Sequence, residues 1–391
     1  MTEPPLNRPA VRFMIPPFFS KNEPIFIVVA TVLGIKLLLF CWAQANFNFG
    51  SHPGGHWLNI WDRWDSGVYK AIATSAYSRT ADMKMDWWAF LSHFPPLYPA
   101  IISVITFLGI SIPASGILVS FFSAIIVSIM LYKLALVEFN NQRSAMLTVW
   151  FFNFFPTSYF SISLYSESLF ILLAVSSFYH LRKENFLYAG LLSGGAILAR
   201  SVGIVFIPIY FLYVLYDYFK NRKINFNSLY LCVLLMFAVL IYMRINKVYY
   251  DDYFYFLNET LSFNTTKHLI FPFKESYSDL LALFQGAHLS DPNFMMTRGW
   301  NAVFVLLAMV VTILGIKRVK WEYTIFSMSS ILLFSSLSWG ISNARYVFSV
   351  FPIFMILGSM ENRLLQGGIL GVFFVGLLHF TKIFTSGAWA F

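Results

Sequence analysis

The chain has 391 residues, of which 58% are hydrophobic and only 12% are charged, and its mean hydropathy is +0.66. A soluble domain of this size does not carry so much apolar sequence, so the composition indicates a polytopic membrane protein. The net charge of +9 comes mainly from Lys and Arg in short connectors between apolar runs, which the positive-inside rule explains without nucleic-acid binding. Cys41 and Cys232 both lie in apolar runs and predict neither a disulfide nor a thiolate metal site.

The apolar runs are continuous and of helical length, which predicts an all-α membrane protein rather than an outer-membrane barrel. We expect a single domain over residues 1–391, because no Gly/Ser/Pro linker interrupts the chain. The first run, 25–43, is predicted to be a retained helix, because it has no small-residue cleavage site. A long first outer loop, 46–110, follows it. Its last segment, 100–110, is short and preceded by prolines, so we expect it to dip into the membrane without crossing.

Two runs are too long for one crossing and too short for two. Residues 145–181 are interrupted by Y-S-E-S at 165–168, and residues 186–216 by R-S-V-G at 200–203. Because roughly 20 residues make one span, each run is predicted to be a helical hairpin whose turn lies below the membrane surface. Irregular backbone at that depth is stable only where it lines a protein cavity, so Glu167 and Arg200 are expected to face one cavity.

The remaining runs are predicted to be single spans, which gives about eleven transmembrane helices in total. These spans cover residues 114–137, 229–246, 300–316, 323–339, 346–360 and 367–385, with a second large outer loop at 247–298. With the N-terminus in the cytosol, this layout places the basic connectors around Arg143, Arg182 and Arg363 inside, as the positive-inside rule requires. The same parity places the polar residues of both hairpin turns on the outer face.

Carboxylates and arginines therefore meet on the outer face. Arginine binds phosphate bidentately and stays charged, and a carboxylate can deprotonate an incoming hydroxyl. This combination predicts sugar transfer from a lipid-linked phosphosugar, with phosphate as the leaving group. The candidate catalytic residues are Asp65, Asp62 and Glu167. The candidate substrate-binding residues are Arg200, Arg345, Trp64, Tyr69, Tyr165, Asn343, Tyr346 and His93.

Structural explanations compete with these assignments. A single Asp in an outer loop more often caps a turn, and a Trp at this position is more often an interfacial anchor. Arg345 alone could be a snorkelling flank of its helix. Glu167 and Arg200 are each enclosed by apolar residues, so they fit function or a buried structural pair better than a surface role.

Three histidines of the first loop, His52, His56 and His93, could ligate a metal. The first two have H-x-x-x-H spacing, which converges only on a helix, and the P-G-G between them opposes a helix. We therefore expect no metal and no other cofactor.

Four motifs resemble those of the mannosyltransferase family that adds the second mannose of GPI anchors (phosphatidylinositol glycan class V) and its prokaryotic relatives. W-D-S-G-V-Y at 64–69 is similar to the family motif W-D-x-x-[HWF]-[FY], and F-P-P-L-Y-P at 94–99 to F-F-P-x-[FY]-P. Y-S-E-S-L-F at 165–170 resembles the family's Y-[ST]-E-S-L-F, and A-R-S-V-G-I at 199–204 its R-[SP]-N-G-[LI]. The motifs occur in the family's order through the first half of the chain.

The resemblance implies a membrane-embedded glycosyltransferase of the C superfamily that uses a polyprenyl- or dolichyl-phosphate sugar and inverts the anomeric centre. Aligned motif by motif, the Asp of the first outer loop that serves such enzymes as base or essential acid is Asp65, and Asp62 lies outside the motif. Val202 stands where the family usually has Asn, and the family's GPI acceptor does not carry over. The expected reaction moves mannose to a lipid or glycan acceptor at the outer or lumenal face. In a prokaryote the enzyme would lie in the inner or plasma membrane with its site facing outside.

Two other functions fit parts of the sequence. A transporter or flippase for a lipid-linked sugar would explain the cavity and the arginines, but it would not need Asp65 as a base. A non-catalytic membrane scaffold is disfavoured by the enclosed Glu167 and Arg200. The expected partners are the lipid-linked donor, the acceptor and membrane lipids, without nucleic acid.

Overall fold

The computed structural model describes residues 23–47, 57–223, 225–261, 268–286, 291–338 and 340–391. This part of the chain is helical, and its only β pairing is an isolated bridge between Leu269 and Leu337. The helices of the first half are α1 (Glu23–Asn46), α2 (Ser66–Ser75), α3 (Met85–Leu91), α4 (Leu97–Thr106), α5 (Ile112–Phe139), α6 (Gln142–Phe154), α7 (Glu167–Arg182) and α8 (Phe186–Ala199). Those of the second half are α9 (Phe206–Asn221), α10 (Leu229–Tyr250), α11 (Tyr255–Leu261), α12 (Lys274–Phe284), α13 (Pro292–Phe294), α14 (Trp300–Leu314), α15 (Trp321–Ser335), α16 (Asn343–Phe348), α17 (Pro352–Gly358) and α18 (Arg363–Thr385).

Within the described residues, six helical stretches are long and apolar enough to cross a membrane, and a bent pair at 340–358 adds a seventh if it forms one span. The six stretches are Pro24–Asn46, Ile112–Phe139, Ser201–Asn221, Phe226–Tyr250, Pro292–Leu314 and Arg363–Thr385. The predicted class, an all-α polytopic membrane protein, is confirmed. The count of eleven spans stays a prediction, because several apolar helices, such as α8 with 14 residues, are shorter than one full crossing.

The first long apolar run breaks earlier than the sequence predicted. Helix α6 ends at Phe154, and α7 begins at Glu167, so the interruption covers 155–166 rather than 165–168. Pro156 accounts for the early end, because a residue that precedes proline is disfavoured in the α region. Glu167 is therefore the first residue of a helix and not part of the turn.

Serine side chains make this buried interruption stable. Ser158 Oγ donates to the carbonyl of Asn153 at 2.6 Å, and Ser163 Oγ donates to the carbonyl of Tyr159 at 3.0 Å. These residues have no exposed surface, so backbone carbonyls that helix geometry leaves unpaired must find partners inside the protein. The serine-rich sequence supplies those partners locally.

The second long run breaks where the sequence predicted. Helix α8 ends at Ala199, Arg200 is extended, and a 3₁₀ turn (Ser201–Val205) leads into α9. The turn requires glycine, because a Cβ on Gly203 would lie 2.6 Å from Ile197 Cα. Three residues join α7 to α8, and the two helices pack against each other as a hairpin. The start of α7 and the end of α8 therefore lie at the same end of the fold.

The predicted single span at 346–360 is not one straight helix, and whether it crosses the membrane as one bent span stays a prediction. The structure instead has two short helices, α16 and α17, which are bent by 55° where Pro352 opens α17. Helix α16 begins at Asn343, so Arg345 lies inside it rather than in front of a span. This brings Arg345 into the protein interior, where its side chain is 6% exposed.

At the other end of α7, a buried ion cluster ties three helices together. Arg182 Nε lies 2.5 Å from Glu138 Oε1 at the end of α5, and Arg182 Nη1 lies 2.9 Å from Glu322 Oε1 at the start of α15. The Tyr323 hydroxyl also donates to Glu138 Oε1 at 2.8 Å. The cluster fixes the ends of these helices opposite to the end that carries Glu167.

The two outer loops contain helices of their own. The first carries α2, α3 and α4, and α4 packs on both α2 and α5. The second carries α11 and α12 and is held to the end of α15 by backbone hydrogen bonds. Ile270 N donates to Ser336 O at 2.8 Å, and Phe273 N donates to Ser335 O at 3.1 Å. Both loops thus lie at the same end of the molecule as the two helix interruptions, 155–166 and 200–205.

Candidate active site

The first outer loop is attached directly to the interruption between α6 and α7. Ser66 Oγ donates to the carbonyl of Leu164 at 3.1 Å, and Leu164 N donates to the carbonyl of Trp61 at 3.3 Å. Asp65 immediately precedes α2, whose first residue is Ser66. These bonds place the carboxylate of Asp65 beside the start of α7.

Four charged side chains from four segments form a continuous ion chain. Asp65 Oδ2 lies 2.8 Å from Arg345 Nη1, and Arg345 Nε lies 3.4 Å from Glu167 Oε1. Arg200 Nη1 lies 2.6 Å from the same Glu167 oxygen. Two carboxylates and two guanidiniums balance in charge, which a site of this burial requires. Glu167 is fully buried, whereas the Asp65 side chain is 23% exposed and is the most accessible member.

The other candidate carboxylate, Asp62, is turned to a different partner. Its Oδ2 lies 2.5 Å from Lys70 Nζ on α2. Asp62 and Asp65, three positions apart in the sequence, therefore have different surroundings. The geometry joins Asp65 to the arginines and gives Asp62 a local ion pair.

Ser166 links Arg200 to the first loop. Arg200 Nη1 donates to Ser166 Oγ at 3.2 Å, and the Tyr69 hydroxyl lies 2.7 Å from the same oxygen. Burial raises the pKa of Tyr69, so this phenol stays protonated at neutral pH. Ser166 was not among the site residues predicted from the sequence, although it lies inside the Y-S-E-S motif, which is the signal that points to it.

Aromatic rings support both arginines. Arg345 Cζ lies over the rings of Phe160, Tyr165 and Tyr346 at 5.4, 5.2 and 5.2 Å from their centroids. Arg200 Cζ lies 5.6 Å from the centroid of Tyr346, which is therefore shared by the two guanidiniums. Cation–π contacts of this kind hold a buried guanidinium without neutralising it.

Tyr165 supports Arg345 from the protein interior and is not part of an exposed surface. It is fully buried, and its hydroxyl donates to the carbonyl of Arg63 at 2.9 Å. Asn343 is also buried, and within the described part of the chain its Oδ1 has no hydrogen-bond partner. The roles of both residues in substrate binding stay predictions.

His93 and Trp64 lie towards other segments. His93 Nε2 is 3.1 Å from Thr260 Oγ1 on α11, which links the first outer loop to the second. The ring of Trp64 contacts that of Trp389 near the end of the chain. His52 and His56 lie outside the described residues, and within the described ranges no three His, Cys, Asp or Glu side chains are grouped to hold a metal.

Lys36 is a further buried polar residue that was not among the site residues predicted from the sequence. It lies in α1, is fully buried, and its Nζ donates to Ser161 Oγ at 2.5 Å inside the interruption before α7. A lysine in the middle of the first apolar run was the signal that could have found it, because an ionisable group at that depth requires a partner.

Comparisons with known proteins agree with this architecture. Residues 93–243 match the family of dolichyl-phosphate-mannose-protein mannosyltransferases. The matched region contains Glu167 and Arg200 but not Asp65. No curated protein matches the chain.

Two solved proteins match this chain in structure. ArnT from Cupriavidus metallidurans, solved bound to undecaprenyl phosphate, matches with a TM-score of 0.55 and 13% identity, over 90% of this chain and 63% of that one. The oligosaccharyltransferase of Archaeoglobus fulgidus, in a complex with zinc and sulfate, gives a TM-score of 0.49 and 12% identity over 91% of this chain and 53% of that one. The chain thus spans less than two thirds of the length of either protein.

The likeness to ArnT establishes the fold. This chain shares the helical fold of that protein, and the all-α class predicted from the sequence is confirmed.

Proposed function

We propose that this protein is a membrane-embedded, inverting glycosyltransferase that uses a polyprenyl- or dolichyl-phosphate sugar. The ion chain Asp65–Arg345–Glu167–Arg200 carries the proposal. It combines an accessible carboxylate with two guanidiniums on a fold shared with ArnT, a protein solved with undecaprenyl phosphate bound. The match of residues 93–243 to a mannosyltransferase family supports mannose as the sugar.

The reaction that fits this geometry is one displacement at the anomeric carbon. The acceptor hydroxyl oxygen attacks the anomeric carbon, the bond from that carbon to the phosphate oxygen breaks, and the electron pair leaves with the lipid phosphate. The hydroxyl proton passes to Asp65, whose Oδ2 is held by Arg345 while Oδ1 remains to accept it. A single displacement inverts the anomeric centre.

The arginines serve the leaving group in this mechanism. Negative charge develops on the phosphate as the bond breaks, and Arg200 supplies a fixed positive charge at the end of α8. Glu167 holds Arg200 and Arg345 at one oxygen and so fixes their relative positions. We assign Glu167 as a positioning residue and Arg200 as the phosphate contact.

The acceptor is proposed to be a lipid or glycan at the outer face of the membrane. The basic clusters near Arg143, Arg182 and Arg363 support this orientation, because the positive-inside rule assigns them to the cytosolic side. The four family-like motifs support a reaction of the second-mannose GPI type without identifying the acceptor.

The test is transfer by the purified full chain. Labelled polyprenyl-phosphate-mannose is incubated with octyl mannoside, octyl glucoside, phosphatidylinositol and octanol as acceptors, with and without a chelator. We expect a labelled product with inverted configuration and unchanged yield in the chelator. Movement of the labelled donor across a liposome membrane without product would instead support the transporter, and no transfer to any acceptor would overturn the proposal.

A further inference from the structure

Trp64, next to the proposed base, has an unusual backbone. Its φ is +50°, in the left-handed region that a bulky residue rarely occupies, and it directly precedes Asp65. The residue is also 46% exposed, although burial of its large ring would favour folding. Strain of this kind persists where the surrounding structure holds it and is often found at functional sites. The exposed ring is thus held beside the most accessible carboxylate of the ion chain.

The segment that follows α18 supports Trp64. The rings of Trp389 and Trp64 meet edge to face, with centroids 4.9 Å apart at an angle of 64°. The Tyr159 hydroxyl donates to the carbonyl of Ala390 at 2.5 Å, and Phe391 is 1% exposed among core rings. This segment is therefore fixed in the core and presents Trp389 to the first outer loop.

Arg63 adds a second attachment between the loop and this segment. Its Nη2 donates to the carbonyl of Thr385, the last residue of α18, at 3.0 Å. Within the described residues, the buried indole Nε1 of Trp389 has no hydrogen-bond partner. A Trp N–H normally finds an acceptor when it is buried, so this group is available to a ligand hydroxyl if the pair shifts to admit one.

We infer that Trp64 and Trp389 form an aromatic wall for the sugar ring of the acceptor. A pyranose presents an apolar face of C–H groups and an edge of hydroxyls, which suits an exposed indole beside an unpaired indole N–H. In an inverting displacement the acceptor approaches from the side opposite to the leaving phosphate, so it lies on the side of the base. Trp64 adjoins the base, and Arg200 lies at the far end of the ion chain. The inference rests on the proposed function and deepens it.

Two substitutions at Trp64 separate its ring from its backbone. Trp64→Gly keeps the positive φ at no steric cost but removes the ring, whereas Trp64→Phe keeps an aromatic ring. Trp389→Ala removes the second ring of the wall and leaves the sequence of the first outer loop unchanged. Trp87→Ala is the matched control, because Trp87 is a 39% exposed Trp of the same outer loop and lies on α3.

The measurement is the KM for octyl mannoside, together with kcat and the Kd for polyprenyl-phosphate-mannose. Trp64→Gly should raise the acceptor KM about tenfold, as expected for one apolar ring face left unburied. Trp389→Ala should raise it severalfold, Trp64→Phe should raise it less than Trp64→Gly does, and Trp87→Ala should leave it unchanged. The donor Kd should not change in any of them.

Three results would overturn the inference while leaving the glycosyltransferase intact. These are an unchanged acceptor KM in Trp64→Gly, a weakened donor Kd with an unchanged acceptor KM, and a wild type that uses only octanol or phosphatidylinositol. A wild type that transfers to none of the acceptors overturns the proposed function, and this inference with it.

Discussion

At the residue scale, the structure separates two aspartates that the sequence presents as a pair. Asp65 lies in the ion chain with Arg345, and Asp62 pairs with Lys70. The left-handed backbone of Trp64 between them changes the direction of the chain, and such a conformation could not be predicted for a tryptophan. Residue type and position in the sequence made both aspartates candidates for the base. Only the alignment with the family motif favoured Asp65.

Arg200 is expected to stabilise the fold as well as to contact the phosphate, because it forms an ion pair with the buried Glu167. Removing one member of a buried ion pair leaves its partner uncompensated and is strongly destabilising. Glu167 would keep Arg345 after the loss of Arg200, but at the longer distance of 3.4 Å. Arg200→Lys, which preserves the charge, is therefore the more informative variant for binding.

We expect both Arg200 variants to weaken donor binding. A charge-assisted hydrogen bond contributes about 1.5–3 kcal/mol, so Arg200→Leu should raise the donor Kd by roughly 10–150-fold. Arg200→Lys should recover only part of this, because a lysine lacks the planar fork. The control is Arg79→Leu, an exposed arginine of the first outer loop. Donor Kd values equal to the wild type in both folded Arg200 variants would make Arg200 purely structural.

At the element scale, run length predicted that two long apolar runs are broken, and both breaks are confirmed. Their positions were predicted unequally well. Arg200 and Gly203 are polar and flexible signals in an apolar run, so the second break was located correctly. The first was placed too late because Y-S-E-S is the more polar stretch, whereas Pro156 and serine-to-carbonyl bonds determine where α6 ends.

The bent pair α16 and α17 was missed for a related reason. Its sequence is apolar on both sides of Pro352, and a proline inside such a run is compatible with a kinked span as well as with two helices. The position of Arg345 depends on this bend. Its ion pairs with Asp65 and Glu167 could therefore not be predicted from sequence patterns.

The stability that Asp279 contributes through helix α12 of the second outer loop should depend on pH. Burial raises the pKa of Asp279 from 3.8 to about 6, although Arg298 Nε at 2.9 Å opposes the shift. The folded state therefore binds more protons than the unfolded state between these values, and this contribution to stability falls as the pH rises from about 4 to 6. Above the folded pKa the buried charge is fully present in the native state.

We expect Asp279→Asn to remove this dependence. The melting temperature of Asp279→Asn in detergent, relative to the wild type, should be higher at pH 7 than at pH 5, because only the wild type gains a buried charge on that rise. The melting of both proteins is followed at each pH. A constant difference would show that the Arg298 pair cancels the effect of burial on the pKa of Asp279, and a difference that shrinks as the pH rises would show that the pair outweighs burial. Either result would contradict the prediction.

At the scale of the whole molecule, the ion chain and the Arg182 cluster occupy opposite ends of α7. This helix has 16 residues and is about 24 Å long, which is somewhat less than the hydrocarbon thickness of about 30 Å. The fold class and the meeting of Glu167 with Arg200 followed from run length and charge parity. The hairpin of α7 and α8 did not, because the sequence predicted a hairpin inside each long run and these two helices belong to different runs. The contributions of Ser166, Lys36 and Trp389 did not, because each depends on tertiary contacts between distant segments.

The orientation in the membrane gives a topology prediction. In a background without Cys41 and Cys232, single cysteines at Ser78 and Lys183, both exposed, should react with a membrane-impermeant reagent from opposite faces. Ser78 should label in intact cells and Lys183 only after the membrane is opened. Labelling of both positions from one face would contradict the layout that brings the outer loops to the site.

The most direct test of the account is sugar transfer by Asp65→Asn beside Asp62→Asn. Asp65→Asn keeps the size of the side chain but cannot accept the proton, and the loss of a positioned base should lower the rate by about 10²–10⁴. Arg345 keeps Glu167 as a partner in this variant, so the fold and the donor Kd should survive, as gel filtration and binding can show. Asp62→Asn should transfer at close to the wild-type rate. Full activity in a folded Asp65→Asn protein, or a loss confined to Asp62→Asn, would contradict the assignment of Asp65 as the base.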